Sequence, residues 1–384
     1  MIPYGRQDIT QADIDSVVEV LQSDFLTQGP KVPEFEKRLS DYCSVNHAVA
    51  VNSATSALHV ACLSLGLGKG DYLWTSPITF VASANCGLYC GAKVDFVDID
   101  PTTYNLCPLA LEIKLIKAKE LGRLPKVVIP VHLCGQSCDM EKVSVLAKKY
   151  NFKIIEDASH AIGGKYENKP IGDCRYSDIT VFSFHPVKII TTAEGGMALT
   201  NNNEIYQRML MLRSHGITRE AEKMTHEPDG PWYYQQIDLG FNYRMTELQA
   251  SLGISQLARL DEYVSLRHVL AERYDNLLAG LPLTLPHQKK NTYSAYHLYV
   301  VRLDNILDSG YHRKVFESLR EKNISVNLHY IPVYTHPYYQ KMNFISNSFP
   351  HSESYYSEAI SIPIYPTMSY QQQDCVIKAL KEAL

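Results

Sequence analysis

Lys188 stands where a lysine is seldom found. It lies in Phe182-Ser183-Phe184-His185-Pro186-Val187-Lys188-Ile189-Ile190-Thr191-Thr192, just past an apolar run that reads as a strand. A loop lysine is ordinarily solvated, but this one is followed by apolar and hydroxyl residues and belongs to no charged stripe. Desolvation lowers the proton affinity of an amine and makes it a nucleophile. The segment could therefore attach an aldehyde cofactor covalently.

A carboxylate with matching chemistry occurs in Ile154-Ile155-Glu156-Asp157-Ala158-Ser159-His160-Ala161. Asp157 falls at the carboxyl end of a strand read over 153–156. Two readings fit it: a loop or helix cap, or the partner of a pyridine nitrogen. In the second, a charge-assisted hydrogen bond keeps the nitrogen protonated, and the ring then withdraws electrons from a reacting carbon. His160 reads equally as a packed histidine or as a contact to a ring oxygen.

Asn52-Ser53-Ala54-Thr55-Ser56-Ala57 joins a strand to a helix. Free amides in a first helical turn, with the helix dipole, make a seat for a phosphate. Thr55 and Ser56 add hydroxyls, although both are also ordinary capping residues. Ser183 supplies a further donor. Phe80, in Thr79-Phe80-Val81-Ala82, is either core or a platform on which a flat ring stacks.

These groups need a scaffold that gathers strand ends. Short apolar runs at 47–51, 72–75, 94–99, 127–131, 153–156, 180–184 and 197–200 alternate with amphipathic stretches at 55–65, 78–89, 108 onward and 140–149. That alternation predicts an α/β fold with a mostly parallel central sheet, whose strand ends hold the ligand. Ahead of it, Thr10 and Asp13 suggest a capped helix over 10–22, with Ile14, Val17, Val18 and Leu21 on one apolar face. Phe35, Leu39, Tyr42 and Cys43 form a second such face. Beyond about 205 the pattern changes. Helices are expected over 246–263, 266–278, 313–322 and 371–380, and strands over 296–302 and 325–329. The expected division is a large cofactor-binding domain over 1–245 and a smaller C-terminal α+β domain over 246–384.

A chain of 384 residues, 45% hydrophobic, can bury a large core. Its formal charge of -4, from 37 basic and 41 acidic residues, argues against a nucleic-acid-coating protein. Nine cysteines make no disulfide framework, and Cys134 and Cys138 have no second pair or histidine cluster beside them, so no metal is expected. No targeting pattern and no membrane-length apolar run occur. A soluble protein of the reducing cytoplasm is the expectation.

The blocks quoted above, together with Gly5-Arg6-Gln7-Asp8-Ile9, Ser23 to Pro30, Phe182 to Gly196 and Gly240-Phe241-Asn242-Tyr243-Arg244-Met245-Thr246, resemble the sugar aminotransferase family of fold type I pyridoxal 5'-phosphate (PLP) enzymes. The resemblance runs the whole chain. It implies that Lys188 holds the cofactor, Asp157 faces its ring nitrogen, His160 contacts its ring oxygen and Phe80 stacks on the ring. Thr55, Ser56 and Ser183 match phosphate-binding positions. Asn242 resembles an asparagine donated to the partner's phosphate across a homodimer. The implied acceptor is a UDP-linked 4-keto sugar of the 6-deoxy-L series, with L-glutamate and 2-oxoglutarate as the donor pair. Tyr4, Arg6, Thr27, Gly29, His329 and Tyr330 are candidates to line its entry, and Arg213 is a candidate to meet its diphosphate, each with a structural alternative. For Arg213 that alternative is a salt bridge or loop anchor. Relatives that dehydrate sugars carry histidine at the lysine position, so Lys188 favours transamination. One departure is Ala193, where the family usually has glycine. A methyl is acceptable there unless the backbone needs a positive φ, and little effect is expected.

Overall fold

The computed structural model describes residues 1–304, 310–344 and 348–384. In chain order its elements are α1 (Gln11–Leu21), α2 (Lys31–Cys43), β1 (His47–Val51), α3 (Ala54–Ser64), β2 (Tyr72–Thr75), α4 (Ala82–Tyr89), β3 (Lys93–Phe96), α5 (Pro108–Glu120), β4 (Val127–Ile129), α6 (Met140–Tyr150) and β5 (Lys153–Asp157). There follow β6 (Lys165–Tyr166), β7 (Lys169–Pro170), β8 (Ile179–Ser183), β9 (Gly196–Thr200), α7 (Asn203–Arg213), β10 (Ile217–Thr218), β11 (Gln235–Gln236), α8 (Glu247–Leu257) and α9 (Leu260–Leu278). The last part holds β12 (Leu283–Thr284), β13 (Thr292–Tyr293), β14 (Tyr299–Leu303), α10 (Tyr311–Glu321), α11 (Pro337–Gln340), α12 (Pro350–Glu358), β15 (Ala359–Ile362) and α13 (Tyr370–Ala383).

The central sheet has seven strands in the order β1-β9-β8-β5-β4-β2-β3. Only β9 runs against its neighbours; the others are parallel to one another. Helices cover both faces, so the strands are buried almost throughout, as their unbroken apolar runs require. One core lies between the sheet and α3 and α4. A second joins α2 and the 189–190 segment to α8 and the start of α9. A smaller antiparallel sheet, β12-β14-β15, packs with α10, α13 and the later part of α9. The architecture is the expected α/β one, with a mostly parallel central sheet and a smaller C-terminal sheet.

Several local expectations are corrected. The Thr10–Asp13 box caps α1, but the face it turns inward is not the apolar one. Asp13 and Val20 are buried, whereas Ile14, Val18 and Leu21 are exposed. The Asp13 carboxylate bonds Arg259, Ser255 and Gln256, and this polar anchor fixes the helix's rotation. The helix expected from Ile78 begins only at Ala82, which leaves Thr79 and Phe80 in a loop. The break expected near 264 falls at Ala258 and Arg259. In place of a strand over 325–329 there is a single bridge, Asn327 to Ser361. α7, α12 and β15 had no counterpart in the sequence reading.

Candidate active site

The carboxyl ends of β2, β4, β5 and β8 open on one cavity of about 510 Å³. Its wall includes Thr55, Phe80, Asp157, His160, Ser183 and Lys188 from the large sheet's side, and Tyr4, His297, His329 and Tyr330 from the opposite side.

Lys188 sits in the loop from β8 to β9. That loop is braced by Phe184 N–H to Gly195 O, Thr192 N–H to Phe184 O, and Thr191 N–H to the Gln256 carboxamide on α8. The Lys188 side chain is half-buried by area, but its amine is shut in by the cavity walls. Desolvation lowers that amine to about 8, against the opposing pull of Asp157. No hydrogen bond engages it among the described residues. An amine with lowered proton affinity and no hydrogen-bond partner among the described residues gives up its proton more easily than an ordinary lysine, which suits it to act as nucleophile and base.

Asp157 is 5% exposed and already held from two sides. Ser83 Oγ donates to Oδ2 at 2.6 Å, and Ser159 donates to Oδ1 through its N–H at 3.1 Å and its hydroxyl at 2.6 Å. These bonds fix its direction, which a partner for a ring nitrogen requires.

At the end of β1, Ser53 caps α3 by accepting from Ser56 N–H. The amides of Ala54 and Thr55 are left open toward the cavity, and the Thr55 and Ser183 hydroxyls have no bonds among the described residues. Gly196 permits this arrangement, since a Cβ there would lie 2.5 Å from Ala54 N. Phe80 is 58% exposed, an aromatic face left bare beside the cavity.

Three imidazoles surround the amine. Burial, then Lys188 and His329, push His160 far below its ordinary value. Burial and the neighbouring His160, Lys188 and Arg267 do the same to His297. His329 is pushed down to about 3 by burial and Lys188. All three are neutral at physiological pH.

Other candidates lie elsewhere. The Ser56 hydroxyl is spent on Asn52 and Ser53. Arg213 pairs with Glu36 and the Ala50 carbonyl, so the loop-anchor reading holds for it. Thr27 and Gly29 belong to a turn fastened by Glu247, which accepts from the first amides of α2; a Cβ on Gly29 would meet Phe25 and Glu247. Arg6 is exposed outside the cavity, and Asn242 is exposed on a segment bonded to 212–215 and to Asn52. Ser83, Ser159 and His297 escaped the sequence reading. Asp-x-Ser was a usable local signal for Ser159, whereas Ser83 and His297 arrive from distant segments.

Ala193 overturns one expectation. Its φ is 65°, so the condition under which a methyl is costly is met.

The sequence profile of the DegT/DnrJ/EryC1/StrS aminotransferase family matches residues 7–381. The chain belongs to that family. It is 37% identical to the spore coat polysaccharide biosynthesis protein SpsC of Bacillus subtilis, over 99% of this chain and 96% of SpsC. It is 38% identical to the UDP-4-amino-4,6-dideoxy-N-acetyl-beta-L-altrosamine transaminase of Campylobacter jejuni, over 96% of this chain and 94% of that one. Among solved structures, Helicobacter pylori PseC, an aminotransferase of pseudaminic acid biosynthesis, matches with a TM-score of 0.90 at 31% identity, covering 100% of this chain and 98% of that one. Spr1654 of Streptococcus pneumoniae in its PLP form matches with a TM-score of 0.88 at 29% identity, covering 100% and 99%. The protein is a PLP-dependent aminotransferase of fold type I. The cavity suits that cofactor: it offers an unbonded amine, a fixed carboxylate, open helix amides and a bare aromatic face.

Proposed function

We propose that this aminotransferase moves the amino group of L-glutamate to the C4 ketone of a UDP-linked sugar, UDP-2-acetamido-2,6-dideoxy-beta-L-arabino-hex-4-ulose. The products are UDP-4-amino-4,6-dideoxy-N-acetyl-beta-L-altrosamine and 2-oxoglutarate, a step of pseudaminic acid biosynthesis. The unbonded Lys188 amine in a cavity with Asp157 carries the transamination reading. The 38% identity with the Campylobacter jejuni transaminase supports the choice of sugar.

In this reading Lys188 holds PLP, Asp157 faces the ring nitrogen and Phe80 covers the ring. Thr55, Ser183 and the first amides of α3 take the phosphate, with Ser56 acting only through the cap it completes. When bound, the cofactor supplies an aldehyde that carries the amino group and a ring that accepts an electron pair. Lys188 Nζ takes the donor's α-proton and returns a proton on the same face. Because the amine reaches one side only, the new C4–H bond has a fixed configuration.

The working unit in this reading is a homodimer. Ile14, Val18, Leu21, Phe25 and Leu26 present an apolar face left about half exposed among the described residues, and Trp232 and Leu239 are 73% and 75% exposed. Asn242, exposed outside its own cavity, is free to reach the partner's phosphate site.

The test is purified protein with L-glutamate and the proposed UDP-4-keto sugar, the product identified by mass spectrometry and NMR. Conversion of another keto sugar but not this one rejects the assignment. The 37% identity with SpsC favours, as a second reading, an aminotransferase for a different nucleotide-linked keto sugar. A panel of UDP- and dTDP-linked keto sugars separates the two.

A further inference from the structure

The hydroxyl of Tyr330 has a hydrogen to give, and none of the described residues takes it. The direction of its bonds follows from a chain of three groups. Cys134 lies in the tight turn after β4, at φ 60°, with its backbone N–H 3.3 Å from His160 Nδ1. A backbone N–H can only donate, so Nδ1 is the acceptor and carries no hydrogen. The ring is neutral, because it is buried beside Lys188 and His329. Its one hydrogen is therefore on Nε2, which lies 3.1 Å from the Tyr330 oxygen. Tyr330 accepts there, and its own O–H must point elsewhere. No acceptor for it occurs among the described residues, while its side chain lines the cavity beside Phe80, ring centroids 6.2 Å apart.

The turn that starts this chain is tightly determined. Gly135, at φ 110°, packs so closely that a Cβ would lie 2.8 Å from Tyr296 N and 3.0 Å from His160 O. Ala295 N–H and Leu298 N–H bond the carbonyls of Gly135 and Cys134. His160 is thus held from behind by backbone, and the polarity of its two nitrogens is imposed by the fold. Burial and the nearby Asp157 carboxylate both raise the Tyr330 hydroxyl, so it keeps its proton across the working pH range.

We propose that Tyr330 is a ligand-contacting hydrogen-bond donor, aimed by the Cys134–His160 chain at an acceptor oxygen in the cavity, either the ring oxygen of the cofactor or the carbonyl oxygen of the keto sugar. This rests on the reading that PLP is held at Lys188. His160 then acts through Tyr330 as a positioning residue, a role distinct from direct contact.

The experiment uses holoenzyme carrying Tyr330→Phe, which keeps the ring and deletes the donor. If the target is the cofactor oxygen, the visible absorbance of the resting holoenzyme and its pH titration shift before any sugar is added. If it is the sugar carbonyl, the resting spectrum and the glutamate half-reaction are unchanged, and kcat/KM for the keto sugar falls at least about tenfold. Either result supports the donor role. Wild-type spectrum and wild-type rates in both half-reactions overturn it. His160→Gln and His160→Leu test the chain. A glutamine presents an acceptor oxygen and a donor nitrogen in the same sense, so it should recover most of what leucine loses. Equal losses in the two variants overturn the polarity argument. Peptide mapping of a borohydride-fixed pyridoxyl group on Lys188, in wild type and in Tyr330→Phe, keeps the two failures apart. Label on Lys188 with an inert Tyr330 sinks this inference alone; label elsewhere sinks the underlying reading.

Discussion

Two buried polar clusters sit in the same molecule and are built in opposite ways. Around Asp13, the carboxylate receives hydrogens from Thr10 N–H, Ser255, Gln256 and Arg259, and almost nothing is left over. Around Lys188, an amine, the Thr55, Ser183 and Tyr330 hydroxyls and the first amides of α3 face a shared cavity with hydrogens unspent. A folded chain rarely leaves buried donors unmatched, because each costs about 1–3 kcal/mol. The first cluster fixes how α1, α8 and α9 pack. The second keeps its unused bonding capacity for a ligand. Asp157 is aimed in advance by Ser83 and Ser159, as His160 is by Cys134 and Tyr330.

The contrast predicts opposite losses. Lys188→Ala should cost sustained turnover at least about 10³-fold while leaving the melting temperature of the cofactor-free protein unchanged or higher. Amino-sugar formation by mass spectrometry and a thermal scan read the two together. A variant that melts much earlier would mean Lys188 is structural after all. Asp13→Ala should do the reverse, costing about 3 kcal/mol of stability by stranding Arg259 and Gln256, with activity per folded molecule retained. Urea denaturation checks the first half and an active-site titration the second.

The same pair of clusters should answer to pH with the same sign, stability rising with pH, but in separate windows and for different reasons. Burial alone would raise the Asp13 carboxyl, but bonds from Ser255, Thr10, Arg259 and Gln256 hold it below its ordinary value. Its contribution is therefore complete above about pH 4, where the unfolded carboxyl ionises, and is lost as pH falls through the lower folded value. Lys188 is depressed to about 8 in the folded protein, whereas an unfolded lysine holds its proton to about 10.4. Between those limits the unfolded chain binds more protons, so the cofactor-free protein should gain stability as pH rises from about 8 to about 10. Denaturation midpoints of wild type and Lys188→Ala over that range should diverge, with the slope missing in the variant. Parallel curves would show that the amine is not desolvated.

How much of this could be read in the chain follows the same division. Lys188, Asp157, Thr55 and Phe80 each sit beside a strand end within a short distinctive segment, so local residues pointed to both the element and the cavity it lines. The strand-helix alternation gave the central sheet for the same reason. Ser83 and His297 were invisible, because each reaches the cavity from a segment whose own neighbours say nothing of Asp157 or Lys188. The face of α1 was misjudged because periodicity assumes that apolar residues turn inward, and here a buried ion pair decided the rotation. Arg213, Thr27 and Gly29 were drawn toward the site by a family likeness that the packing explains by other means: a pair with Glu36, and a turn clamped by Glu247.

The smallest expected effect lies on the border between the two kinds of construction. Ala193 is in the Lys188 loop at φ 65°, its N–H bonded at 2.9 Å to the Thr191 hydroxyl, which itself donates to Phe184 O. A left-handed conformation costs an L-residue with a Cβ about 1–2 kcal/mol, which glycine avoids. Glycine also gives back freedom to the unfolded chain, worth about 0.4–1 kcal/mol in the other direction. The difference leaves Ala193→Gly more stable by about 0.5–1 kcal/mol, seen as a small rise in the denaturation midpoint. Because the Thr191 and Thr192 bonds hold the loop whichever residue is at 193, the amine should stay where it is, and the pH at which Lys188 takes up a pyridoxyl label should not move. A gain in stability accompanied by a shifted labelling profile would mean that the strained alanine helps to set the lysine's position, and that the boundary between scaffold and site runs through this loop.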